Sequence, residues 1–195
     1  MMMNNSASRK MKYSRNIIEN YSVSQRFPEY LESLNDIFSS EENCRDIDRT
    51  VFSRESRQDF GDAVGLNGDK VIPALYSAAC EIHESSNDKP KSVDLVLGVL
   101  DDKSAAFILL AELKLGVKSA NHRKKSFNKS SFQGKFEDSQ QYLGASIPFI
   151  NTLCVVVTDD FYEKGLSWCA RWQREDDGFK IILETEQTFY KKYFE

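Results

Sequence analysis

Two apolar runs, residues 93–100 and 105–115, are separated by the polar tetrad Asp101-Asp102-Lys103-Ser104. That pattern predicts a β-hairpin. The runs are apolar at nearly every position rather than at alternate ones, which points to strands covered on both faces, as in the middle of an α/β sheet. Residues 152–158 predict a further buried strand. Helical spacing appears from Phe27, through Tyr30, Leu31, Leu34, Ile37 and Phe38, and again over residues 73–85, where Leu75, Tyr76, Ala79 and Ile82 share a face. Pro28 and Pro73 suit first turns of these helices. Residues 131–143 predict a helix capped by Gly144, and residues 186–194 a terminal one. Residues 44–60, charged with Ile47, Val51 and Phe52 as apolar points, read as a helix, and the three glycines of 61–69 as a loop. Asp176-Asp177-Gly178 between residues 168–173 and 179–183 signals a second hairpin. Residues 1–26 are mostly polar and read as a flexible segment. The sum is one mixed α/β domain over residues 27–195: a central mixed sheet flanked by helices, with extra N-terminal helices and a C-terminal hairpin.

Composition narrows the chemistry. A chain of 195 residues with 41% hydrophobic and 29% charged residues has enough apolar material for a single core. A net charge of −4 excludes a uniformly basic nucleic-acid binder and leaves room for a local basic patch. No apolar run reaches the roughly 18 residues of a membrane helix, so no membrane partner is expected. The polar, basic stretch over residues 1–16 has no apolar run behind it and does not read as a secretory signal. Cys44, Cys80, Cys154 and Cys169 are scattered, without a CxxC pair, so free thiols in a reducing cytoplasm are the expectation. His83 and His122 are the only histidines, too few for a His-rich metal site. Hydrolytic chemistry would fall to carboxylates, lysine and a metal held through oxygen.

The strongest candidate site lies in the first hairpin. Glu112 and Lys114 alternate onto one face of the second strand, about 7 Å apart along it. A turn centred on residues 101–104 brings Asp94 opposite the Glu112 region, nearest Ala111. Two carboxylates and an ammonium then meet at one end of the sheet. A solvated strand end is the plain alternative. The apolar flanks of both strands weigh against it, because a charge in a covered sheet needs a partner or a purpose.

These residues resemble the PD-(D/E)xK nuclease superfamily, with its restriction-endonuclease-like core, over about residues 73–158. The resemblance implies that Asp94 and Glu112 hold a divalent metal, Mg²⁺ or Mn²⁺, and that Lys114 assists the attacking water. Glu81 on the preceding helix stands where such families carry a further acid, with Glu84 beside it. Gln140, Gln141 and Tyr142 stand where the following helix often carries a glutamine and an aromatic residue. Val93 replaces the motif's proline, and no first core strand fits between the residue-73 helix and Val93.

The chemistry agrees with that expectation. Phosphodiester hydrolysis needs a nucleophile at neutral pH, and a bound divalent ion lowers the pKa of water from about 15.7 towards about 7–9. Residues 113–136 hold seven of the 26 Lys and Arg residues and none of the 30 Asp and Glu. Lys118, Arg123, Lys124, Lys125, Lys129 and Lys135 there suit a phosphate backbone, with Phe127 and Phe132 interleaved as stacking candidates. The expected function is a metal-dependent nuclease acting on DNA. A homodimer would suit double-strand cutting. The alternative is a catalytically inactive protein of the same fold, serving as a nucleic-acid-binding or protein-interaction module of an immunity-like or accessory kind.

Overall fold

Residues 10–43, 58–80, 89–115, 127–144, 146–175 and 179–195 are described by a computed structural model. In chain order they form β1 (Met11–Tyr13), α1 (Arg15–Glu19), α2 (Ser22–Arg26), a 3₁₀ turn (Pro28–Tyr30), β2 (Leu31–Ser33), α3 (Leu34–Asn43), β3 (Val64–Asn67) and α4 (Gly68–Cys80). Then follow β4 (Leu95–Asp101), β5 (Ala106–Lys114), α5 (Lys129–Leu143), β6 (Leu153–Val157), α6 (Asp159–Glu175), β7 (Ile181–Thr185) and α7 (Glu186–Phe194). The architecture is a mixed α/β one, with helices flanking a seven-stranded mixed sheet.

The predicted first hairpin is the centre of that sheet. Leu95 pairs with Ala111 and Leu100 with Ala106, antiparallel. β6 runs parallel to β5, and β7 parallel to β6. The other edge of β4 is shared: β3 takes Leu95 and Val96, while β1 takes residues 99–101. The Tyr13 hydroxyl links those two neighbours, donating to the Val64 carbonyl at 3.0 Å and accepting from the Val64 N–H at 2.9 Å. β2 closes the edge on β3.

Alternation sorts the strand side chains into two cores. Val96, Ile108, Leu110, Val155 and Val157 pack on one face with Phe132, Phe136 and Leu143 of α5. Leu95, Leu97, Leu109, Leu113 and Val156 pack on the other with Leu34 and Ile37 of α3 and Phe189 and Tyr193 of α7. Both faces are therefore covered, as the unbroken apolar runs require. The predicted terminal helix is α7, whose aromatic residues dock on the sheet.

Several expectations are corrected. The helix predicted from Phe27 begins at Leu34, because residues 31–33 pair with residues 64–66 instead of continuing the 3₁₀ turn. The glycine-rich stretch predicted as a loop contains β3, and α4 starts five residues before Pro73. Gly65 lets β3 pass Leu95, since a Cβ there would lie 2.6 Å from the Leu95 Cδ1. The C-terminal hairpin is replaced by α6 and the parallel strand β7. Trp168 and Trp172 stand one helical turn apart and pack on Phe127, at 5.6 and 5.4 Å between ring centroids. Their spacing of four fits a strand face too, and tertiary packing decides between the two. The segment read as flexible up to Arg26 is folded from β1 onward. Ile18 and Tyr21 are fully buried, and the Tyr21 hydroxyl donates to the Leu143 carbonyl at 2.8 Å. Three buried apolar residues, Ile18, Tyr21 and Val23, in a polar stretch are too few to show as a pattern. The helix predicted over residues 44–60 lies mostly outside the described residues. Among the described residues, no helix is long and apolar enough to cross a membrane.

Cys154 and Cys169 are buried, and burial pushes both thiols up, Cys169 to about 11. Thiolate is the reactive species, so native-state alkylation at pH 8 should label neither residue at a rate within about 100-fold of the denatured chain. Mass spectrometry of alkylated peptides measures this. Labelling of either residue at the denatured rate would contradict the packing described for β6 and α6.

Candidate active site

Three of the elements above converge at the Lys114 end of β5. Glu112 and Lys114 project from alternate positions of that strand towards α5, on the face where Glu112 pairs with Val155 and Lys114 with Val157. Continuing the β4–β5 register by one step sets Asp94 opposite Glu112. Asp94 precedes the first residue of β4, and its carboxylate reaches back to the partner strand. Its Oδ2 accepts the Leu113 N–H at 2.6 Å, which fixes the carboxylate against the backbone between Glu112 and Lys114.

The segment leading into Asp94 is held from both sides. Gly68, at the start of α4, donates its N–H to the Asp94 carbonyl at 3.0 Å. It sits so close that a Cβ there would come 1.8 Å from the Val93 carbonyl oxygen. From α5, the buried Ser139 hydroxyl accepts the Val93 N–H at 3.1 Å, and the Asp138 Oδ2 accepts the Lys91 N–H at 2.8 Å. The Ser92 hydroxyl donates to Asp69 Oδ1 of α4. Two helices thereby clamp residues 91–94 and set the position of one carboxylate.

Glu112 is the least ordinary member. It is 0% exposed, in a strand whose other buried positions are all apolar. Its Oε1 carries two ammonium groups, that of Lys114 and that of Lys135, the latter at 2.7 Å. Its Oε2 is buried and has no hydrogen-bond partner among the described residues. Lys135 also lies 3.6 Å from Asp94 Oδ1, so one ammonium touches both carboxylates. Burial opposes the charge on Lys135, but Asp94 and Glu112 outweigh it and hold its pKa above the usual lysine value. Asp69 adds to the same attraction at longer range. A buried acceptor without a partner costs free energy on the order of 1–3 kcal/mol, and such groups concentrate where a ligand or reaction needs them.

No protein-family model, curated protein or solved structure matches the chain. Its chemistry is therefore read from these side chains alone. Of the residues singled out in the sequence, Asp94, Glu112, Lys114 and Lys135 come together. Lys135 stands in the site itself, its ammonium on the two carboxylates instead of on an outer basic surface. Lys129 donates to the Trp172 carbonyl at 3.4 Å at the other end of α5. The Gln140 carbonyl accepts the capping N–H of Gly144, and the Tyr142 ring packs edge-on against Tyr76 at 5.8 Å. Phe127 and Phe132 are buried and perpendicular to one another, 5.0 Å apart, so they belong to the core and offer no stacking surface. Glu81, Glu84, Lys118, Arg123, Lys124 and Lys125 lie outside the described residues.

Asp69, Ser92, Asp138 and Ser139 were not singled out in the sequence. The buried residues of α5 run Phe132, Phe136, Ser139 and Leu143. Lys135 falls on that same stripe, three residues after Phe132. A lysine on the apolar face of a helix is a readable signal for a buried acidic partner.

Proposed function

We propose that this protein is a metal-dependent nuclease acting on DNA, with Asp94, Glu112 and Lys114 as its catalytic residues. The observation that carries the reading is the buried Glu112, one oxygen unpartnered, beside a backbone-fixed Asp94 and two lysines. The donor set fits Mg²⁺ or Mn²⁺, which bind through one or two carboxylates and complete their shell with water and substrate phosphate. Among the described residues no group of three or more His, Cys, Asp or Glu could hold a metal ion, so the reading rests on the two carboxylates of Asp94 and Glu112.

Asp94 and Glu112 would hold the divalent ion, which when bound would acidify a water and add positive charge at the scissile phosphate. The chain's own residues do the rest. Asp94, locked by the Leu113 N–H, presents Oδ1 in a fixed direction. Lys114, on the same strand face as Glu112, would orient the attacking water and balance charge growing on the phosphate. Apolar packing of β5 and β6 beneath the site keeps bulk water from the carboxylates, which strengthens every charge interaction there. The free Cys154 and Cys169 thiols suit a reducing cytoplasm.

The experiment is incubation of linear and circular DNA with the protein in Mg²⁺ or Mn²⁺, against EDTA. Cleavage in metal and none in EDTA is expected. Absence of cleavage in both, with DNA or protein binding retained, would replace the enzyme with the inactive module.

Nucleic-acid affinity is expected to depend on salt. Lys135 is engaged with carboxylates and Lys129 with a backbone carbonyl. Lys118, Arg123, Lys124 and Lys125 then remain as phosphate contacts. In EDTA, where Lys135 stays on the carboxylates, four contacts give a slope of log K against log[salt] of about −3.6 for duplex DNA. Fluorescence anisotropy across a salt series measures it, and a flat response would remove the basic stretch from the binding surface.

A further inference from the structure

Glu112 is fully buried and Asp94 nearly so, while the side chains above them, Lys114 and Lys135, keep 16% and 21% of their surface in solvent. The two ammonium groups are therefore the cover of the carboxylate pair. They differ in attachment. Lys114 belongs to β5, and among the described residues its ammonium pairs with Glu112 alone. Lys135 comes from α5 on a long flexible stem and touches both carboxylates, at 2.7 and 3.6 Å. An ammonium bridging two carboxylates occupies the position that a shared divalent cation needs. Both lysines sit on Oε1 of Glu112, and Oε2 has no hydrogen-bond partner among the described residues.

We propose that Lys135 is an internal cation that alternates with the divalent metal between Asp94 and Glu112, and that a nucleic-acid phosphate draws it away. This rests on the nuclease reading of the same site and makes Lys135 a positioning residue. With no polyanion present, Lys135 neutralises the carboxylates and weakens metal binding. A phosphate offers the ammonium another partner of the same sign as the carboxylates, so metal and nucleic acid strengthen each other's binding. By linkage the strengthening is equal in both directions. The site is thereby loaded only when substrate is in place.

The test is calorimetric titration of Mn²⁺ into the full-length protein, alone and with a duplex carrying uncleavable phosphorothioate linkages. Lys135→Met, which keeps the apolar stem, should bind Mn²⁺ about tenfold tighter or more in the absence of DNA. Lys114→Met should tighten it distinctly less. The duplex lends the metal a phosphate oxygen in either protein, so it should strengthen Mn²⁺ binding in both, and by a distinctly larger factor in the wild type than in Lys135→Met. Lys135→Gln, which retains a hydrogen-bond donor without the charge, serves if the methionine variant does not fold. Equal tightening in both lysine variants would reduce the effect to net charge and overturn the proposal. So would unchanged Mn²⁺ affinity in the Lys135 variants, with binding still lost in Glu112→Gln; that result leaves the nuclease reading standing. No Glu112-dependent Mn²⁺ binding in any variant, with or without DNA, would sink the metal reading and this proposal together.

Discussion

Glu112→Gln is expected to lower single-turnover DNA cleavage by about 10³-fold or more while leaving DNA affinity measured in EDTA nearly unchanged. A metal ion contributes several kcal/mol of charge stabilisation in the transition state, and each 1.36 kcal/mol is worth about tenfold in rate. Glutamine keeps the side-chain volume in a position with no solvent exposure, so the packing of β5 against β6 survives. What disappears is the negative charge that Lys114 and Lys135 both address. The same change removes one partner of a buried ion cluster. Breaking a wholly buried pair costs about 3–5 kcal/mol. The cost here falls below that, because both ammonium groups reach solvent and can rehydrate. Quench-flow cleavage beside anisotropy binding separates the two effects. Cleavage within a few-fold of wild type would remove Glu112 from the chemistry.

Gly68→Ala carries the largest expected loss of stability among methyl additions at the described glycines. The new Cβ would meet the Val93 carbonyl oxygen at 1.8 Å, and that contact is backbone on both sides. Overpacking a fitted interior typically costs 1–3 kcal/mol, and a backbone collision with no flexible neighbour lies at or above the top of that range, about 3 kcal/mol. The collision also displaces the carbonyl of Asp94, to which Gly68 donates, so activity should fall further than stability alone explains. Gly134→Ala is the control. It lies inside α5, and the nearest atoms to its Cβ would be those of the flexible Lys91 side chain, Nζ at 3.3 Å and Cδ at 3.4 Å. Alanine in a helix interior gains about 0.5–1 kcal/mol over glycine, so this variant should be slightly more stable than wild type. Urea unfolding midpoints measure both. Wild-type stability in Gly68→Ala would mean that α4 does not clamp residues 93–94 as described.

The parts of the fold legible in the sequence are those where one local signal acts alone. The polar tetrad over residues 101–104 sets the register of β4 and β5, and so predicts that Asp94 meets Glu112 to within a residue. Gly144 ends α5 with a positive φ of 70°, as its place after an amphipathic run implies. Illegible elements are those decided by distant partners. Residues 31–33 become a strand only because residues 64–66 are there to pair with. Trp168 and Trp172 join a helix because an aromatic cluster around Phe127 receives them.

The candidate site divides in the same way. Glu112 in an apolar run is visible because its surroundings are local. The clamp formed by Gly68, Asp69, Asp138 and Ser139 depends on how two helices meet one loop, and no spacing in the chain encodes that meeting. Lys135 shows both influences. Its charge drew attention to it as one of a basic cluster, whereas its place on the buried stripe of α5 determines its partners.

The most direct measurement is the anomalous scattering of Mn²⁺ in crystals of the protein with an uncleavable duplex. A peak in contact with both Asp94 and Glu112 and with a phosphate oxygen is the predicted result. Manganese bound elsewhere, or carboxylates still clasped on Lys135 with DNA in place, would contradict a shared divalent cation at this end of β5.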